Sequence, residues 1–284
     1  MLEGIVALTA AVAISAAPAV PAPLVLGLDH IPIAVRNLET ASADYRALRF
    51  ALKPGRPHAN GIRNQHAKFA DGTELELITA PEARDPLTTF YRRHLDQGEG
   101  PGFVAFYAPE TDSIVEQLED THKPYRSGVG LVTFPDEDSL RYIFFGRRNA
   151  STTDRPQHFA HPNGAESLIG VWLAGDDFSA ERRLWDKLRL TVSEEEVRAP
   201  DSIRVPVVHL PAGEILLLPG DRQVVPGRKV VGATIRVRRL AATRRTLSRG
   251  RVKVPPTVET KIGSSIFLPP TVTHGIWLEF REQR

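Results

Sequence analysis

Residues 30–76 hold His30, His66, Glu74 and Glu76, side chains that can ligate a divalent metal or move protons. Asn64 and Lys68 lie among them. The stretch Leu28–Val35 (LDHIPIAV) is rich in apolar residues and reads as a strand. RNQHAKF and TELELIT read as two further strands joined at Asp71-Gly72, a strong hairpin signal. Alternation groups Asn64, His66 and Lys68 on one face of the first. It puts Glu74, Glu76 and Ile78 on one face of the second, with Leu75 and Leu77 on the other. Imidazole and carboxylate together suit a divalent cation, and this stretch holds both. His66 and Glu74 are candidates for acid–base work, and Asn64, His66, Lys68 and Glu74 for lining a substrate pocket. The same residues also fit a polar groove in which His30 and Glu76 are a hydrogen-bonded pair without metal, and His66 is a satisfied strand histidine.

The elements that would position them run β-α-β-β-β. Leu38, Tyr45 and Leu48 are spaced for one helical face, and PGRPHANG is turn material. The unit recurs. Apolar runs at Leu75, Ile143, Leu216 and Ile276 each follow a strand and a helix-like segment. The leading strands are Leu28–Val35, Gly102–Tyr107, Leu168–Ala174 and Val230–Val237. The helices are Leu38–Leu48, Thr111–Leu118, Phe178–Leu188 and Leu240–Leu247. A repeated unit of this size argues for duplicated supersecondary modules, and four of them for two pairs. The polar, proline-containing stretch Ala150–Pro162 marks the seam, flanked by His158 and His161. In HPNGA, Gly164 is free to take a positive φ in a tight turn. The expected division is 1–23 as a leader, 24–160 as the first double module and 161–284 as the second.

Three segments resemble the vicinal oxygen chelate superfamily, in particular its glyoxalase-like branch: LDHIPIAVRNL, NGIRNQHAKFADGTELELI and HPNGA. The resemblance implies an α+β fold of four βαβββ modules paired into two half-open barrels. It implies a divalent metal held by a first-strand His and a last-strand Glu, the positions of His30 and Glu76; with two ligands, such a metal would keep several waters or borrow a third ligand from the loops, for which His158 is a candidate. It further implies a lyase or isomerase acting on a small oxygen-rich substrate. The chain departs from the pattern in module two, where the counterparts fall near Gly100–Phe103 and Phe144–Arg148. Arginine does not ligate metals there, although Arg147 or Arg148 beside a pocket would favour a carboxylate or phosphate. In the second barrel Glu279 matches Glu76, but the counterparts of His30 fall near Ser167 and Gly232. A binding protein on the same scaffold, holding a small molecule without metal or turnover, is the alternative.

Composition narrows the remaining classes. A hydrophobic content of 42% and a charged content of 25% are those of a globular chain. With no Cys, thiol catalysis and thiolate metal sites are excluded. A net charge of +2 gives no global field for nucleic acid. The basic segment Arg228–Lys253 contains no aromatic residue on which bases could stack, so its charges are read as solvated faces. The uncharged run Gly4–Ala17 is too short to span a bilayer stably but fits a signal-peptide core. Export is therefore expected, with cleavage near Ala16–Leu24, which N-terminal sequencing of the native protein would check.

Overall fold

The parallel pairing of the first and last strand of each module is what makes a helix necessary, because a parallel pair cannot be closed by a tight turn. In the computed structural model, which describes residues 22–250, 252–260 and 262–283, this happens four times. The expected leader lies almost wholly outside the described residues. Module one is β1 (Gly27–Ala34), α1 (Leu38–Ala47), β2 (Lys53–Pro54), β3 (Arg63–Lys68) and β4 (Glu74–Thr79). A helix, α2 (Pro86–Gln97), and the short β5 (Gly100–Pro101) follow. Module two is β6 (Val104–Tyr107), α3 (Thr111–Asp120), β7 (Arg126–Gly128), β8 (Leu131–Thr133) and β9 (Ile143–Gly146). A short α4 (Pro156–Phe159) occupies the seam. Module three is β10 (Ala165–Ala174), α5 (Ser179–Lys187), β11 (Thr191–Arg198), β12 (Ser202–Leu210) and β13 (Gly213–Leu218). Module four is β14 (Val230–Val237), α6 (Leu240–Ser248), β15 (Val258–Thr260), β16 (Gly263–Leu268) and β17 (Trp277–Gln283).

The strands form two sheets. The first runs β2-β3-β4-β1-β6-β9-β8-β7, with β5 also on β1; the second runs β11-β12-β13-β10-β14-β17-β16-β15. In each, the two leading strands pair antiparallel at the centre. This is the α+β fold expected, four βαβββ modules paired into two half-open barrels. The second strand of module one is only two residues long. Gly72 and Gly164 both take positive φ, as their turns require.

One face of each sheet joins a common core. Ile31, Ile33, Leu75 and Leu77 of barrel one pack in the same cluster as Val171, Leu173, Ile215 and Leu217 of barrel two. Helices supply Leu38, Tyr45, Ile114, Leu118, Leu184 and Trp185 to it. Phe50 stacks on Phe280 across the junction with centroids 5.8 Å apart. The opposite faces are the concave ones, and they differ. In barrel two the concave face carries a second apolar core of Trp172, Val205, Val207, Leu216, Leu218 and Phe267. In barrel one it is polar around His30, and further along it is covered by α2. Tyr91 and Leu95 of that helix pack on Ala34, Ile62 and Ile78. No described helix is long and apolar enough to cross a membrane.

Candidate functional site

Strand register assembles the barrel-one groove. His30 lies opposite Glu74 in the β1–β4 ladder. In the β3–β4 ladder His66 lies opposite Glu76, Lys68 opposite Glu74, and Asn64 opposite Ile78. All six residues singled out from the sequence therefore share one concave face. The β1–β6 register shifts between Leu28 and His30. Asp29 sits at that irregularity, where its carboxylate reaches the neighbouring imidazole. His30 Nδ1 donates to Asp29 Oδ2 at 2.9 Å. That bond fixes the ring so that Nε2 stands 3.7 Å from Glu76 Oε2. The other Glu76 oxygen accepts from Asn64 Nδ2 at 2.5 Å. Glu74 Oε1 is 3.2 Å from His66 Nδ1.

Charge is concentrated here and mostly buried. Burial alone would lower the pKa of His30. The hydrogen bond and charge of Asp29, with the charges of Glu76 and Glu74, outweigh it and lift the imidazole to about 9. Burial would raise the Glu74 carboxyl, but the close approach of the His66 imidazole and the charges of His66, His30 and Lys68 hold it below the usual carboxylate range. Glu74 Oε2 is buried without a hydrogen bond. Its nearest cation, Lys68, is 3.9 Å away because Lys68 is held elsewhere. Lys68 Nζ donates to Asp154 Oδ2 at 2.8 Å and to the Asn149 carbonyl at 2.7 Å. Lys53 takes the other Asp154 oxygen at 2.5 Å. The seam thus reaches into the groove through Asp154, a contact no local pattern signals.

Aromatic rings wall the opening. Phe144 meets the His30 ring edge-on at 5.3 Å, and Phe103 meets Phe144 at 6.3 Å. These phenylalanines stand at the module-two counterparts of His30 and Glu76, near Gly100–Phe103 and Phe144–Arg148. Tyr91 of α2 is close enough to feel the charge of Glu76, which, after burial, raises its pKa well above the ordinary phenol value. The His30, Glu76 and His66 side chains are left 17%, 11% and 11% exposed, a narrow entrance. Arg147 instead donates to the Pro109 carbonyl, and Arg148 lies over the Tyr107 ring. His158 caps its own short helix by accepting from the Arg155 amide. His161 is structural. It bonds the Lys68 carbonyl and the Ala51 amide, and burial lowers its pKa.

The groove partly fits a divalent metal. His30 Nε2 and Glu76 Oε2 face each other at 3.7 Å, and the buried Glu74 Oε2 has no hydrogen-bond donor, Lys68 standing 3.9 Å away. Among the described residues, however, no group of three or more His, Asp or Glu is arranged to hold a metal. Two protein ligands with waters completing the shell is what this donor set can offer.

Barrel two does not fit. His30 opens the five-residue β1–β4 ladder; Gly170 and Gly232 open the corresponding ladders β10–β13 and β14–β17. The counterpart in module three is thus Gly170 rather than Ser167, which bonds Asp71 across the junction. A Cβ at Gly232 would come within 2.3 Å of the Trp172 ring, and one at Gly170 within 2.9 Å of Thr234. Trp172 Nε1 donates to Thr234 Oγ1 at 3.0 Å, which donates to Glu279 Oε2 at 2.7 Å. Ser265 donates to the other Glu279 oxygen. The Arg281 guanidinium then grips Glu279 through Nε and Nη2, at 2.9 and 2.8 Å, and Glu214 through Nη1 at 2.6 Å. A cation already sits between the carboxylates, at the floor of a cavity of about 370 Å³. Thr234→Val would orphan the indole N–H and one Glu279 bond. We expect a loss of about 1–3 kcal/mol in urea unfolding, and an unchanged midpoint would show that the relay is not needed.

Comparison with known proteins places this geometry. The model of a family described as glyoxalase-like domain matches residues 28–189. No curated protein matches significantly. Among solved structures, a xylose isomerase-like TIM barrel/4-hydroxyphenylpyruvate dioxygenase fusion protein aligns at TM-score 0.66 and 11% identity over 93% of this chain. This chain spans only 49% of that one. A catechol 2,3-dioxygenase aligns at 0.63 and 14% identity, covering 92% of this chain and 89% of its own. The Mn(II)-bound glyoxalase from Novosphingobium aromaticivorans aligns at 0.62 and 13% identity, with 92% and 83% covered. At these identities the structures speak for fold alone, while the family match spans more than half of the sequence. The chain belongs to the glyoxalase-like domain family of the vicinal oxygen chelate superfamily.

Proposed function

We propose that the barrel-one groove binds a small oxygen-rich molecule at a divalent cation held by His30 and Glu76, and that the protein is a lyase or isomerase of the glyoxalase-like kind. The observation that carries this reading is the orientation of His30, whose Nδ1 is fixed by Asp29 so that Nε2 faces Glu76. Such an outer-shell carboxylate on an imidazole is the usual support of a metal-binding histidine. A manganese-bound glyoxalase among the similar folds supports a divalent metal. A cation at this point would polarise a carbonyl or stabilise an enolate. The chain's own residues would do the rest. Asn64 orients Glu76, His66 with Glu74 is placed to move a proton, and Phe144 and Phe103 exclude water from one side. Lys68, tied to Asp154, leaves one Glu74 oxygen open to a ligand.

One observation favours a second reading, a metal-free binding protein. With its pKa lifted to about 9, His30 is an imidazolium at neutral pH and already pairs with Glu76. Metal analysis and titration of the wild type, His30→Ala and Glu76→Ala separate the two. The first reading expects metal in the wild type and an affinity at least about tenfold weaker in each variant. Equal metal content in all three would remove the pair from the site. Binding by none would leave the metal-free protein.

A further inference from the structure

The helix α2, which covers the barrel-one concave face beyond His30 and reaches the groove with Tyr91, is fastened from barrel two. At its start, α2 is held by its own chain through a capping box between Asp85 and Thr88. At its end the partners come from far in sequence. Arg228, just before β14, donates from both terminal nitrogens to the Gly98 carbonyl, at 3.2 and 3.1 Å. It also reaches the carbonyls of His94 and of Glu99, the latter at 3.2 Å. The His94 carbonyl is one of the last four of α2, which a helix leaves without intrahelical partners, and Gly98 is its C-cap residue. Beside them, His274 Nδ1 donates to Glu99 Oε2 at 2.7 Å, and Nε2 to Asp44 Oδ2 of α1 at 3.1 Å. The second Glu99 oxygen accepts the Arg36 amide at 2.7 Å. The backbones touch here. A Cβ on Gly275 would lie 2.3 Å from the Glu99 carbonyl oxygen. His274 is itself held at φ +60, a conformation tolerated where the surroundings impose it.

We propose that barrel two serves as the keeper of this lid: Arg228 is the permanent fastening and His274 the proton-dependent one, so that entry to the barrel-one groove eases as His274 becomes neutral. The inference concerns access to the groove and stands whether or not a cation binds there. Both ring nitrogens of His274 face carboxylates, an arrangement only the imidazolium satisfies fully. The charged groups around it are Asp44 from α1, Glu99 after α2 and Arg36 at the end of β1, with Lys253 lining the same cleft of about 580 Å³. The Tyr45 ring packs at 6.2 Å, and burial keeps its phenol protonated. Burial opposes the charge on His274. The bonds to Glu99 and Asp44 overcome it, and the pKa is raised. A raised folded-state pKa makes the clasp fully present below about pH 6.5, with release as pH rises through the raised value.

Hydrogen exchange of the full chain, corrected for intrinsic rates, tests this on peptides from residues 86–97. Wild-type α2 should lose about tenfold in protection between about pH 6 and about pH 9. Peptides from β10 and β13 should not change. In His274→Asn, whose side chain tolerates left-handed backbone, α2 should exchange fast at both pH values with no pH step. In Arg228→Gln it should exchange faster at both while keeping the step. A pH-independent wild-type α2, or a His274→Asn protein with the wild-type step, would overturn the proposal. An Arg228→Gln protein indistinguishable from the wild type would do the same for the permanent fastening.

Discussion

Arg281→Ala should cost about 3–5 kcal/mol of stability, the range for breaking a buried ion pair by removing one partner. Arg281 is 4% exposed, and Glu279 1%. Glu279 and Glu214 hold the guanidinium well above its already high ordinary pKa, even though burial works against the charge. Removing it leaves two carboxylates facing each other with only Thr234 and Ser265 as donors to Glu279. Millimolar guanidinium ion should refill the seat and restore the midpoint of thermal unfolding, while sodium chloride at equal ionic strength should not. The triple variant Glu214→Gln, Glu279→Gln, Arg281→Met should recover most of the loss, because replacing the whole ion pair removes the desolvation penalty together with the attraction. An Arg281→Ala protein within about 0.5 kcal/mol of the wild type, the range of ordinary surface changes, would mean that the guanidinium is not the cation that makes barrel two's carboxylates tolerable.

Lys68→Met should cost about 3 kcal/mol, at the low end of the same range because Lys53 stays on Asp154. Lys68 is 2% exposed and serves two acids, Asp154 at 2.8 Å and Glu74 at 3.9 Å. Burial would raise the Asp154 carboxyl, but the bonds from Lys53, Lys68 and the Ser151 amide hold it far below the usual carboxylate range. A folded-state pKa below the unfolded one means that the stabilisation is present above about pH 4 and lost as pH falls. The wild type should therefore lose stability on acidification more steeply than Lys68→Met, whose Asp154 is less depressed. Adding Glu74→Gln to Lys68→Met should return part of the loss by removing the uncompensated charge. Identical acid limbs for the wild type and Lys68→Met, measured by urea midpoints between about pH 3 and about pH 7, would refute the assignment.

The groove's membership was legible in the chain because it rests on local periodicity. A strand repeats every two residues, so Asn64, His66 and Lys68 had to share a face, as did Glu74 and Glu76. The Asp71-Gly72 hairpin then set His66 against Glu76 and Lys68 against Glu74 without reference to anything distant. The four modules were legible for the same reason, since each strand-helix-strand unit carries its own apolar pattern. The start of α2 also left a local mark, Asp85 before Pro86 with Tyr91 and Leu95 one turn apart, which the module count passed over.

Tertiary structure alone decided what surrounds the groove. Periodicity tells which side of a sheet a residue faces, not which distant residue meets it there. Phe103 and Phe144, rather than an arginine, came to wall the site because pairing of β6 with β1 and β9 set their position beside His30. Asp154, 86 residues from Lys68, took that lysine away from Glu74. Barrel two repeats the module pattern of barrel one, yet Trp172 fills the space over Gly232 and Arg281 fills the space between Glu214 and Glu279. The same strand pattern therefore yields a polar groove around His30 in one barrel and, in the other, an apolar core beside an Arg281-filled acidic site. The difference lies in side-chain volume and charge meeting across the sheet, and only the folded chain brings those together.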